Sequence, residues 1–383
     1  MNDPVNKRIA LFLDGTWNTL DDNTNVWRMK CLCDQSAEQK IYYSAGVGTA
    51  KGEKITGGAF GIGINEEVEA AYEWLMDNYE PQSQIFIFGF SRGAFTARSL
   101  AGFISKCGLL RSGSPLSMTQ LYARYRKGDA PSIRELLKKE GTFGLEDRWL
   151  RKYARPIPIW FQGVWDTVGS LGIPLPGLPD VSSHAFEFLE VDLRINDAHA
   201  YHALAIDEHR GAFKPTLWVK STTAENQGPA ERDLAHVEQR WFVGAHANVG
   251  GGYASDVLAQ PPLKWLMDKA QAHGLVFKEQ VEIDEALYEC TAADSYGDMA
   301  HGLYALATFG HKEDRTIGAA PKDIDGHTVH TINESIDGSV FERWRRDVTY
   351  RPASLENWAD RKKVDPAQLH GAVLAEDPTV RSE

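Results

Sequence analysis

The sequence predicts an α/β fold: a mostly parallel central sheet flanked by helices, with a helical insertion and a C-terminal elaboration. Three observations predict it. Short apolar, β-prone runs recur at 9–13, 85–88, 158–165 and 237–243, separated by stretches whose apolar residues fall at helical spacing. Each of these runs empties into a polar residue or a glycine-bearing turn, where open α/β sheets gather their ligands. Finally, the run Gln84–Phe88 leads directly into Gly89-Phe90-Ser91-Arg92-Gly93 and then into a small-residue helix.

Taken in order, Arg8–Leu13 reads as a buried parallel-type strand ending in Asp14-Gly15-Thr16-Trp17. Ile41–Tyr43 is a short strand, and a glycine-rich loop runs from Ala45 through Gly48 and Thr49 to Gly63, with no Gly-Lys-Ser/Thr to make it a nucleotide loop. Ile64, Val68, Ala71, Tyr72, Leu75 and Tyr79 then mark a crossover helix, with Glu66, Glu67, Glu69 and Glu73 on its solvated side. After the Ser91 turn, Ala94, Ala97, Ala101 and Gly102 define a helix able to lie close to the sheet.

Residues 109–157 form the helical insertion, with short helices expected at Met118–Arg126 and Ser132–Lys139. Between Arg124 and Arg155 there are ten Lys/Arg against five Asp/Glu, so this segment reads either as a lid or anionic-lipid-facing surface, or as a solvated cap. Pro158–Trp165 is the next strand, with Asp166 and Thr167 at its carboxyl end and a proline-bearing loop, Leu171–Asp180, beyond. Ala198–Arg210 reads as a helix whose His202 and His209 are candidate ligands but read better as makers of structural hydrogen bonds. Val237–Val243 is a strand emptying into a loop that carries His246 and Asn248, followed by a helix at Pro262–Ala272. Residues 257–383 form the C-terminal elaboration, with Val329–Leu355 covering the core or the site opening; no linker divides the chain, so 1–383 reads as one domain.

The bulk numbers fit this reading. A chain of 383 residues with 43% apolar and 25% charged residues suits one large globular domain, and a formal charge of −12 argues against nucleic acid as a partner. Cys31, Cys33, Cys107 and Cys290 lack paired metal-ligand spacing and read as free or buried thiols. The apolar run at Ile9–Leu13 is too short for a signal peptide or membrane span, so the protein is expected to be made in the cytoplasm. No cofactor is expected.

The chemistry follows from three strand-end residues. Gly89 and Gly93 permit a sharp strand-to-helix turn that would present the Ser91 hydroxyl as a nucleophile. Such a hydroxyl needs a base, which His246 supplies, and the base needs a carboxylate to fix its tautomer, which Asp166 supplies. Nucleophile, acid, histidine is the chain order of α/β-hydrolases. The Arg92 N–H, together with one from Gly15, Thr16 or Trp17, would hold an oxyanion. Asp14 has three readings: a metal-binding acid of a phosphohydrolase, part of that oxyanion loop, or a turn cap.

Leu13–Asn18, Gly46–Thr49, Gly89–Ala94, Gly163–Gly169, His202–Glu208 and Gly244–Tyr253 together resemble the uncharacterised α/β-hydrolase family that includes phospholipase effectors of the first lipase class of bacterial type VI secretion. The resemblance covers roughly residues 8–265. It implies an α/β-hydrolase fold, a Ser91–Asp166–His246 triad, and hydrolysis of carboxyl esters, with phospholipids the substrate of characterised effectors. It also implies delivery to a target cell, contact with a membrane surface, and partners in the secretion machinery or an immunity protein. Two departures stand out. Asn248 occupies a position that is commonly Asp in the family, and the chain is short for the membrane-docking module of the larger effectors. The competing readings are a non-lipid carboxylesterase, a metal-dependent phosphohydrolase centred on Asp14, and a catalytically silent binding protein.

Overall fold

The structure is a computed structural model that describes residues 7–15, 23–46, 57–168, 193, 197–219, 233–253, 256–290, 292, 293, 295, 312–318, 322–324 and 327–382, with 57–63, 322–324 and 327–329 as backbone only. Its strands are β1 (Arg8–Leu13), β2 (Gln39–Ser44), β3 (Gln84–Phe90), β4 (Leu109–Leu110), β5 (Ala154–Arg155), β6 (Ile159–Trp165), β7 (Asp197–Ala205), β8 (Val237–Phe242), β9 (Lys322–Ile324), β10 (His327–Val329), β11 (Glu334–Ile336) and β12 (Val373–Leu374). Eight of them make one sheet in the order β12-β11-β8-β7-β6-β3-β1-β2. All neighbours in it run parallel except the β11–β12 pair at one edge. The chain starts in β1, steps outward to β2, then crosses to β3 on the other side of β1. The carboxyl ends of β1 and β3 therefore flank a topological switch point, the crevice where such sheets bind ligands.

Both faces of the sheet are apolar, as a covered parallel sheet requires. Ile9, Leu11, Leu13, Ile85 and Ile87 point to one face, which α2 (Gly57–Asn78) and α3 (Arg92–Cys107) cover. Ala10, Phe12, Phe86, Phe88 and Phe161 point to the other, beneath α1 (Asn25–Leu32) and a later helix at Gln260–Ala272. The alternation is the period-2 signature of a strand, and here both phases are buried. Helix α2 takes in glycines 57, 58, 61 and 63 of the expected loop; residues 47–56, Gly48 and Thr49 among them, lie outside the described residues. Glu67 does not belong to a solvated face, since its carboxylate accepts from Ser44 Oγ at 3.0 Å. Burial pushes it up to about 7 against the pull of Ser44, Thr96 and Arg92.

The insertion contains α4 (Met118–Tyr125), α5 (Ile133–Lys138) and a third helix, α6 (Leu145–Tyr153), closed at its base by the β4–β5 pair. Ser117 and Ser132 cap α4 and α5 in reciprocal capping boxes, which is why these short helices start where they do. The segment docks on α2 and α3: Tyr122 donates to Asn65 Oδ1 at 2.6 Å, Tyr125 to Ser99 O at 3.3 Å, and the Lys106 ammonium to Tyr125 O at 3.0 Å. Leu137 and Leu145 stay exposed on its outer side.

Residues 197–205 are not a helix but β7, paired with β6 and β8 on either side. Alanine favours helices in isolation, but its small side chain also lets both sheet faces close over a central strand, and tertiary context decides. After β8 come α7 (His246–Gly250) and α8 (Gln260–Ala272), so His246 begins a short helix rather than sitting in a loop. The C-terminal region adds β11, α9 (Gly338–Arg346), α10 (Ala353–Lys362) and β12, and builds a core of its own around Trp241, Ile336, Phe341, Leu355 and Trp358. Among the described residues no helix is long and apolar enough to cross a membrane.

Candidate active site

At the end of β3 the chain turns so sharply that Ser91 adopts φ 58° and ψ −120°, a region costly for any side-chain-bearing residue. Several contacts impose that turn. The Ser91 N–H donates to Trp165 O at 3.1 Å, and its carbonyl already accepts from the Phe95 N–H at 3.2 Å. The neighbouring glycines are required by space: a Cβ on Gly89 would lie 2.4 Å from Gly93 O, and one on Gly93 would lie 2.2 Å from Leu13 O and 2.4 Å from Asp14 O. The crossing of the helix start over the end of β1 is thus backbone against backbone, and it lifts the Ser91 hydroxyl clear of the sheet.

Asp166 follows β6 with φ 38°, and its N–H is tied to Ala203 O of β7 at 2.7 Å. His246 follows β8. The three side chains form a chain of hydrogen bonds, His246 Nε2 to Ser91 Oγ at 2.8 Å and His246 Nδ1 to Asp166 Oδ2 at 2.6 Å. A carboxylate at Nδ1 fixes the proton there, which leaves Nε2 to accept from the serine O–H. All three residues are buried, and the imidazole lies between Phe90, 4.7 Å away and tilted, and the edge-on ring of Phe213 at 5.0 Å.

Asp166 is the most heavily bonded group in the site. Its Oδ1 accepts from the Ala205 N–H at 3.1 Å and from Arg315 Nη1 at 2.5 Å; its Oδ2 accepts from His246 and from Arg315 Nη2 at 2.9 Å. Burial alone would raise this carboxyl, but the Arg315 guanidinium and His246 hold it well below the usual carboxylate range. Burial lowers His246 against the opposing pull of Asp166, so the resting imidazole is neutral, the form a base needs. Behind it, Glu208 accepts from the His246 N–H at 3.2 Å and from Ser295 Oγ at 2.9 Å, and pairs with Arg210 at 2.7 Å. Burial would raise Glu208; Arg210 brings it down to about 2.

The other predicted residues fall in varied places. Arg92 opens the sixteen-residue α3, which puts its N–H at the positive end of the helix dipole beside Ser91. Gly15 is not an available oxyanion donor, because its N–H is committed to Asp14 Oδ1 at 2.8 Å. Thr16 and Trp17 lie outside the described residues. Asp14 is buried, and its Oδ2 accepts from Thr24 at 2.6 Å and Tyr43 at 3.1 Å, so this carboxylate ties β1 to the start of α1 and to β2. No group of three or more His, Cys, Asp or Glu able to hold a metal exists among the described residues. Thr167 is fully buried and does not line an opening; its N–H donates to His202 Nε2 at 3.0 Å. Asn248 fastens the His246 turn from below, accepting from the Ala245 N–H at 3.0 Å and donating to Asp256 at 3.0 Å. His202 is buried inside the sheet region, while His209 meets Asp314 near the surface at 3.0 Å. The Leu171–Asp180 loop is outside the described residues.

Sequence reasoning missed Arg315 and the supporting role of Glu208. Glu208 stood in the 202–208 motif, but nothing in one dimension tied it to His246. Arg315 sits in Lys312-Glu313-Asp314-Arg315, a run that reads as ordinary solvated charge.

A parallel sheet with its serine on a strained strand–helix turn, hydrogen-bonded to a histidine and a buried aspartate in that chain order, defines an α/β-hydrolase. Residues 7–269 match the family described as the catalytic domain of the type VI secretion (T6SS) phospholipase effector Tle1-like proteins, and the chain belongs to that family. An uncharacterised protein of Saccharomyces cerevisiae is 30% identical over 229 residues, which cover 54% of this chain and 32% of that protein. Among solved structures, an uncharacterised protein from Pseudomonas aeruginosa aligns with TM-score 0.41 and 17% identity over 79% of this chain and 51% of its own. The Tle1 effector bound to the VgrG spike of the type VI secretion system aligns with TM-score 0.34 and 18% identity over 65% and 51%. The chain thus spans about a third of the yeast relative and about half of each of these two structures.

Proposed function

We propose that this chain is a serine esterase that cleaves acyl esters of lipids, phospholipids foremost, through an acyl-enzyme intermediate. The observation that carries the proposal is the continuous Ser91–His246–Asp166 hydrogen-bond chain on a serine held at positive φ. In this reading Ser91 Oγ attacks the ester carbonyl as His246 Nε2 takes its proton. Asp166 stabilises the imidazolium, and the Arg92 N–H at the start of α3 faces the developing oxyanion. Collapse of the tetrahedral adduct releases the alcohol, protonated by His246. Water then enters, gives its proton to His246, and frees the acid. Lipid as substrate rests on the family the chain belongs to. The excess of Lys/Arg over Asp/Glu in the insertion, together with the exposed Leu137 and Leu145, supports contact with an anionic membrane surface. Transport by secretion machinery, and neutralisation by an immunity protein, belong to the same proposal and rest on the same family membership.

The test is hydrolysis by wild type and Ser91→Ala, on short-chain nitrophenyl esters and on phospholipid vesicles in parallel. Loss of both activities in the variant, with the wild type faster on vesicles, is expected. Faster turnover of soluble esters would favour a non-lipid carboxylesterase. Activity that survives the substitution would remove Ser91 from the chemistry and turn attention to Asp14.

A further inference from the structure

The Asp166 carboxylate is shared between two cationic partners, and only one of them belongs to the expected triad. Arg315 arrives from 149 residues further along the chain and places both terminal nitrogens on it, at 2.5 and 2.9 Å. The same guanidinium donates to Ala205 O at 2.8 Å, at the end of β7, and to Phe213 O at 2.6 Å. Phe213 in turn carries the ring that stands edge-on to His246 at 5.0 Å. One buried side chain therefore joins the acid, the strand beside it and the wall of the imidazole.

We infer that Arg315 is a positioning residue that acts through Asp166: its planar fork holds the carboxylate in the rotation that presents Oδ2 to His246 and takes up part of the carboxylate's charge. Two consequences follow from that geometry. A fork fixes a carboxylate's plane, which a lysine's single point charge cannot do. A carboxylate already paired with a guanidinium attracts a proton on His246 less strongly, so His246 stays an unprotonated base to lower pH than an unpaired aspartate would allow. Among the described residues, the other charged or titratable groups facing this cluster are Glu208 and Arg210 beside His246, and His202 with Arg98 behind Thr167; none of them is altered in the test below.

This inference rests on the triad reading above, and the test separates the two. The full-length wild type, Arg315→Gln and Arg315→Lys are compared for kcat, KM and the acid limb of kcat/KM on a soluble nitrophenyl ester. His246 is titrated by NMR in all three. Arg315→Gln is expected to lose about 10–100-fold in kcat with KM nearly unchanged, as a misplaced relay does. Its acid limb and its His246 midpoint should both move up by about one pH unit. Arg315→Lys keeps the charge but not the fork, so kcat should fall while both midpoints stay near wild type. A purely structural arginine would lower the folded fraction of both variants and leave both midpoints in place, and that result would overturn the inference. If the wild type shows no ester hydrolysis, the functional reading fails, but the NMR titration still decides whether Arg315 sets the proton affinity of His246.

Discussion

With four donors on its two oxygens in a buried site, Asp166 has no spare capacity for an amide. Asp166→Asn would keep the shape but turn an NH2 toward either Arg315 or His246, leaving the guanidinium unneutralised and the imidazole free to take the wrong tautomer. Activity should fall about 10⁴-fold, the scale of a triad that has lost its acid. Stability should fall by roughly 3–5 kcal/mol, the scale of a broken buried ion pair. A variant that melts at the wild-type temperature would show that Arg315 finds another partner. Gly93 is constrained differently. A methyl group there meets the backbone carbonyls of Leu13 and Asp14 where β1 ends, which cannot rotate away, so Gly93→Ala should cost at least the upper end of the ~1–3 kcal/mol usual for overpacking. It should also remove activity, because relief requires the Ser91 turn to open; thermal melts and ester hydrolysis on the same preparation check both effects.

Among the elements, the C-terminal ones are more than an appendage. β11 pairs in parallel with β8, Glu334 accepts from Trp241 Nε1 at 2.8 Å, and Gln239 Nε2 donates to Ile332 O at 2.8 Å. Without them β8 becomes an exposed edge, its Trp241 side chain meets water, and Arg315 is lost from Asp166. The family match ends at residue 269, short of all of these. A chain cut after Ala272 should therefore express as aggregated or non-cooperatively melting protein with no esterase activity. A soluble 1–272 fragment with a sharp melt and wild-type kcat would overturn this account. The three residues of β11 also show why the region was hard to read: Glu334 and Ser335 look like surface residues, yet both are buried, with Ser335 donating to Glu238 at 2.6 Å.

Across the whole molecule, what was legible in the sequence was what local periodicity and turn chemistry encode. The runs at β1, β3, β6 and β8, the Ser91 turn, and the order of Ser91, Asp166 and His246 are all written in the residues themselves. Residues 197–205 were not, because a central strand of alanines is specified by the elements that close over it. Nor was Arg315, whose role exists only after the chain has folded back 149 positions. A further property spans the fold: two histidines, His202 buried and His273 half-buried, are held in their neutral form. Burial brings His202 down to about 3, where its Nε2 accepts from the Thr167 N–H, and brings His273 down to about 4 within the ring stack at His199. Unfolded, each would take up a proton near its ordinary value of about 6.5. Above that pH neither state binds the proton and stability is full. As pH falls below it, the unfolded chain gains protons that the folded one refuses, so stability drops. The depressed Asp166 and Glu208 carboxyls add a further loss at the acid end of this window, because the unfolded chain starts to protonate them as pH nears their ordinary values of about 4. Glu67, raised to about 7, works the other way, since the folded state takes up its proton first. Urea-denaturation midpoints should therefore fall from about pH 6.5 to about pH 4 by less than the two histidines and two carboxyls alone would give, with His202 responsible for at most about 1.4 kcal/mol per pH unit. His202→Gln, whose amide oxygen can still accept from Thr167 but does not titrate, should flatten the slope by about that amount. Equal slopes in the two proteins would place the acid sensitivity outside His202.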